Sequence, residues 1–195
     1  TTGTRNIAIG AYALDASDTE NDNLAIGYTA MTTNGAGAEK NVAIGNYVMD
    51  AAITGDGNIG VGYNALSANL GGYQNTAVGL QAMLANTTGH NNSAYGTEAL
   101  DANTTGVKNT AIGKSALGGN TTADGNTAVG FEALYANTTG TRNLAIGYQA
   151  YDASDTENDN IAIGYQAMTT NTAGGTQNVA IGNYAGDALT SADNN

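Results

Sequence analysis

A five-residue stretch, Asn-x-Ala-(Ile/Val)-Gly, returns with small departures along this chain every 17 or 18 residues. Its asparagine falls at Asn6, Asn23, Asn41, Asn58, Asn75, Asn92, Asn109, Asn126, Asn143, Asn160 and Asn178. A fixed period of that length marks a repeat architecture: each unit is too small to bury a core alone, and stacked neighbours make one together.

Counted from the anchor asparagine, the unit reads N-x-A-[IV]-G-x-x-A-[LM]-x-A-[NS]-x-x-G-x-x, as in the stretch that begins Asn126-Thr127-Ala128-Val129-Gly130. Two short runs of small or apolar residues are separated by a glycine and followed by a turn rich in Asn, Thr and Gly. Runs this short, bounded by turn residues, read as strands, and none is long enough for a stable helix. The expected fold is all-β: a parallel β-solenoid (β-roll) with 17–18-residue coils and two short strands per coil. Eleven coils at about 4.8 Å each give a rod about 50 Å long.

The columns suggest which groups are buried. Position 4 holds Ile9, Val78, Val129, Ile146, Ile163 and their equivalents, with Tyr95 the one residue that is not β-branched. It is expected to line the coil interior. Position 3 is Ala in every coil except at Gly60, and position 5 is always Gly. Small residues held so strictly imply that another backbone approaches closely. Ala8, Gly10, Ala77, Gly79, Ala128, Gly130, Ala145, Gly147, Ala162 and Gly164 are therefore expected to face a neighbouring chain, with a homotrimer around the rod axis favoured. The Leu and Met residues at position 9 should close the coil. The asparagines should sit at corners and bond to one another along the rod.

Composition narrows the function. The chain has 28 Gly, one Phe, four Met and no Pro, Cys or Trp, so apolar groups must be buried in thin layers. Absence of Cys removes disulfides and thiolate metal sites. The formal net charge is −12, which repels phosphate backbones and anionic lipid; nucleic acid and direct membrane insertion are poor partners. Residues 1–51 match 138–188 at 39 of 51 positions, a duplication offset by eight coils. With no break in composition, residues 1–195 read as one continuous repeat domain, expected to be a slice of a longer chain.

The stretches 75–89 and 126–140, Asn-Thr-Ala-Val-Gly-x-x-Ala-(Leu/Met)-x-Ala-Asn-Thr-Thr-Gly, resemble repeats of phage tail-fibre-type proteins. More distantly, Ala-Ile-Gly-x-x-Ala is similar to the head repeats of trimeric autotransporter adhesins, although those repeats are nearer 14 residues. The resemblance implies a homotrimeric rod at an extracellular, cell-surface or virion location, used for attachment or display. A host-surface glycan or receptor would be engaged through a distal region. Alternatives are an open extracellular filament or sheath built by end-to-end stacking, and a carbohydrate- or calcium-binding solenoid module.

Candidate chemistry is sparse. The single histidine, His90, lies in a turn where other units carry Arg142, Lys108 or Gln74. No phosphate loop, His/Cys metal spacing or Ser-His-Asp pattern occurs, so no catalytic residue or enzyme activity is expected. The acidic turns Asp15, Asp18, Glu20, Asp22 and Asp152, Asp155, Glu157, Asp159 offer oxygen ligands of the kind calcium takes, and are weak candidates for it. No other cofactor is expected. Tyr28, Tyr63, Phe131, Tyr148 and Tyr165 share position 6, while Tyr12, Tyr47 and Tyr184 follow one residue later. They are candidates to stack on sugar rings, or equally to pack on each other or across a trimer seam. The Asn-Thr-Thr turns at Asn86, Asn103 and Asn137 fit a glycosylation acceptor, with turn chemistry a sufficient cause. Flat Thr arrays raise ice binding, but the paired threonines should point to opposite sides of the chain.

Overall fold

The computed structural model describes residues 3–16, 19–33, 35, 37–153, 156–169, 175–188 and 193–194. It is a parallel β-solenoid with one three-residue strand per coil, from β1 (Ile7–Ile9), β2 (Leu24–Ile26), β3 (Val42–Ile44) and β4 (Ile59–Val61) to β5 (Thr76–Val78) and β6 (Ser93–Tyr95). The series continues through β7 (Thr110–Ile112), β8 (Thr127–Val129), β9 (Leu144–Ile146), β10 (Ile161–Ile163) and β11 (Val179–Ile181). They form one 11-stranded sheet in chain order, each pairing with the next in the register set by the repeat. Coils are numbered here 1–11 with their strands.

The sidedness of the strand is the reverse of the expectation. Ala25, Ala77, Ala128, Ala145 and Ala162 are fully buried inside the coil. Their neighbours at positions 2 and 4 are half-exposed or exposed, so Ile9, Val78, Val129, Ile146 and Ile163 face outward. The cause is the thinness of the coil. A Cβ placed on Gly60 would stand 2.6 Å from Val48 Cγ1, on the opposite wall. The close neighbour that restricts position 3 to alanine is thus the far side of the same solenoid. The glycines at position 5 are also confined by their own chain: Gly130 has φ +138°, and a Cβ there would overlap the carbonyl of Gly147 in the next coil.

Opposite each strand, no second strand forms among the described residues. Position 8 and position 9 are both buried, as with Ala82 and Met83, and two consecutive inward side chains break the period-2 alternation of a strand. The backbone achieves this with left-handed residues at alternate positions, Gln81 (φ 57°) and Met83 (φ 52°), repeated coil after coil. Hydrogen bonding between coils survives: Gln81 N–H donates to Tyr63 O below and Met83 N–H to Ala99 O above. The column Met31, Met49, Leu66, Met83, Leu100, Leu117, Leu134, Tyr151, Met168 is the true core ridge, each side chain contributing about 1.5–3 kcal/mol on burial. Tyr151 keeps its hydroxyl satisfied through Asn160 Nδ2 at 2.6 Å.

Two asparagine ladders tie coil to coil. Each anchor Oδ1 accepts the backbone N–H of the next anchor without interruption from Asn6 to Asn178. The same side chain's Nδ2 closes its own coil, as from Asn109 to Ala123 O at 2.7 Å. A second, inner ladder runs through Asn69, Asn86, Asn103, Asn120 and Asn137. The left-handed corner residue is the one before the anchor, such as Lys108 (φ 59°), and not the asparagine itself.

Candidate interaction surface

The outward face of the sheet carries two columns. Position 2 runs Ile7, Leu24, Val42, Ile59, Thr76, Ser93, Thr110, Thr127, Leu144, Ile161, Val179, and position 4 carries the Ile/Val series with Tyr95. Neither column contains a charged residue in any coil. Ile59, Ile112 and Ile146 are among the exposed large hydrophobics even in interior coils. With the apolar ends of position 2, the position-4 column makes an exposed apolar surface larger than the scattered hydrophobics of an ordinary surface, which makes it the candidate interaction face.

An aromatic edge follows the strand. Tyr12, Tyr28, Tyr47 and Tyr63 contact one another edge to face at 5.5–5.9 Å. Phe131, Tyr148 and Tyr165 stack in parallel at 5.1 and 5.3 Å with interplanar angles of 12° and 10°, and Tyr184 closes that series edge to face. Stacking on a sugar ring needs a free aromatic face, and the Tyr148 ring has a neighbour on each side. Within the single chain these rings pack on each other. Lys114 Nζ lies 5.9 Å from the Phe131 ring centre, at the end of the stack.

The acidic turns do not converge. Asp22 is held by Arg5 (Nε to Oδ1 2.5 Å, Nη2 to Oδ2 2.7 Å), and Asp159 by Arg142 (2.6 and 2.8 Å). The guanidinium holds each carboxyl below its ordinary pKa. Glu20 and Glu157 occupy the usual position of glycine at the coil corner and are almost fully buried. They accept from the backbone N–H of Thr19 and Thr156, respectively. Asp15 is exposed, Asp152 half-buried, and Asp18 and Asp155 lie outside the described residues. Among the described residues, no three His, Cys, Asp or Glu side chains are grouped to hold a metal ion. Burial raises the carboxyls of Asp50, Asp101 and Asp152, all at position 10.

His90 stacks on Tyr73 at 4.4 Å, one coil away. The acceptor-like Asn86, Asn103 and Asn137 are completely buried in the inner ladder. Thr87 and Thr104 turn their hydroxyls to carbonyls of the next coil, while Thr88 and Thr105 face solvent, so each pair diverges as the sequence implies. The burial of Glu20 and Glu157 was not foreseen; their place in the glycine column was the available signal. No helix among the described residues is long and apolar enough to cross a membrane.

Comparison with protein-family profiles, curated proteins and solved structures returned no match. The functional reading therefore rests on the residues and their arrangement.

Proposed function

We propose that this chain is a structural rod of an extracellular or virion-attached fibre, without enzyme activity, which holds a distal binding tip away from a surface. The observation that carries this reading is the unbroken anchor ladder, Asn6 to Asn178, which joins every coil to the next by the same bond. Uniform coupling suits transmission of load and distance. Turning binding over to a region beyond the rod fits the self-stacked aromatic edge and the dispersed carboxylates.

The rod self-associates, a homotrimer being the favoured form, through the outward Ile/Val face. In a chain of net charge −12, copies approach at least electrostatic cost along a face without charges. The test is binding of the fluorescently labelled rod to cells and to a panel of immobilised glycans. The rod reading predicts no retention on either; saturable retention by one glycan class, competed by the free sugar, overturns it in favour of a carbohydrate-binding module.

A further inference from the structure

The outward face changes character along the rod. In coils 1–4, position 2 is Ile7, Leu24, Val42 and Ile59, and the edge carries Tyr12, Tyr28, Tyr47 and Tyr63. In coils 5–7, position 2 becomes Thr76, Ser93 and Thr110, and the edge becomes Leu80, Thr97 and Lys114. From coil 8 the aromatic edge resumes with Phe131, Tyr148, Tyr165 and Tyr184, and from coil 9 position 2 returns to Leu144, Ile161 and Val179. Position 2 is polar over coils 5–8, and the edge is without aromatics over coils 5–7, where Leu80 is still apolar. Both columns are apolar in most of coils 9–11, which duplicate coils 1–3.

We infer that the partner of this face is a second copy of the chain, overlapped along the whole rod and gripped by two apolar clasps, coils 1–4 and 9–11, with a weakly contributing hydroxyl band at coils 5–8 between them. The inference rests on the self-association reading above and adds where its affinity resides. Area decides between full overlap and the obvious competitor. The duplication makes the two clasps near-equivalents, so a copy displaced by eight coils also sets clasp on clasp. At about 4.8 Å per coil and about 3.3 Å per residue across a width of four residues, the three coils that then overlap cover roughly 190 Å² and the full face roughly 700 Å². A stable interface removes about 600–1,000 Å² from each partner, a range that full overlap reaches and a single clasp does not. The displaced arrangement also leaves a free clasp on each copy and would grow without closing; the band of Thr and Ser between the clasps lowers the adhesion available at intermediate displacements.

The test is sedimentation velocity over a concentration series for wild type, Ile26→Lys, Ile163→Lys, the two together, and Thr110→Lys, each checked by circular dichroism for an unchanged coil. All three sites face outward and are half-exposed in the single chain, so loss of fold is not the expected effect. Each clasp substitution is expected to weaken association by about tenfold or more and the pair to abolish it, whereas Thr110→Lys changes it by less than about threefold. A wild-type chain that stays monomeric overturns the self-association reading and this inference with it. A wild-type oligomer dissociated by Thr110→Lys as fully as by the double clasp variant overturns the inference alone, as does growth of wild type into open filaments.

Discussion

Val48 and Gly60 face each other across the interior of the solenoid, and each is the single departure from alanine in its column. Position 8 is Ala in every other coil and position 3 is Ala in every other coil. A Cβ on Gly60 would stand 2.6 Å from Val48 Cγ1 and 2.9 Å from Met49 Cε. The larger residue on one wall is accommodated by the smaller one on the other. Gly60→Ala is expected to destabilise by about 1–3 kcal/mol through overpacking, and Val48→Ala by a similar amount through the cavity it leaves. The double variant restores the Ala–Ala pair of the other coils, so denaturant melts should give a favourable coupling above about 1 kcal/mol. Additive losses would show that the two walls do not touch.

The glycine column predicts a harsher outcome. At Gly130 a side chain meets both a backbone angle of φ +138° and the Gly147 carbonyl, and neither can relax without parting the coils. Gly130→Ala should cost more than about 3 kcal/mol, read as a lowered urea midpoint together with amide exchange opened around β8 and β9.

An interior anchor asparagine satisfies two buried groups at once. Asn109 accepts from Asn126 N–H and donates to Ala123 O. Asn109→Ala leaves Asn126 N–H without a partner, at about 1–3 kcal/mol, and leaves Ala123 O only the longer 3.3 Å bond from Asn120 Nδ2. Replacing the exposed Asn91, which lies outside the ladder, by Lys, the residue that holds the same left-handed corner at Lys108, should cost within about 0.5 kcal/mol. Equal losses at the two sites would count against the ladder as a source of stability.

Acid affects two kinds of carboxylate in opposite directions. Burial, with the nearby Glu98 adding to it, raises the Asp101 carboxyl above its ordinary value. Such a group contributes stability that is present below the unfolded-state pKa and is lost as pH rises through the folded-state value. Charged Asp101 therefore opposes folding at neutral pH. Asp101→Asn should raise the melting temperature at about pH 7 and make no difference at about pH 3, below the ordinary Asp value. Asp22 and Asp159, lowered by their arginines, contribute stability above the unfolded-state pKa that is lost as pH falls through the folded value. Their exposure to solvent keeps that contribution small.

The period, the stacking register, the parallel sheet and the asparagine ladders were all legible in the sequence, because a strict repeat forces equal residues into equal environments. The direction of the strand's two faces was not. Hydrophobicity assigns Ile9 to the interior and Ala8 to the outside, whereas a coil this thin admits nothing larger than alanine at position 3. The invariance of alanine was the usable sign, and its correct source is the opposite wall, as Val48 and Gly60 demonstrate. The second wall was misread because left-handed φ at residues such as Met83 and Leu100 has no signature in side-chain type. The adjacent inward pair, Ala82-Met83, was the clue that a strand could not be meant. For the candidate sites, spacing alone could not say that Asp22 and Asp159 are already held by arginines, or that the aromatic rings cover one another.

The most direct measurement compares two neighbours on β8, Ala128 inside and Val129 outside, by urea unfolding of Ala128→Leu and Val129→Lys at a concentration where the chain is monomeric. Ala128→Leu is expected to lose about 2 kcal/mol or more from overpacking the interior, and Val129→Lys to stay within about 1 kcal/mol of wild type. The reverse order, a tolerated leucine and a destabilising lysine, would place the Ile/Val column in the core and contradict the account.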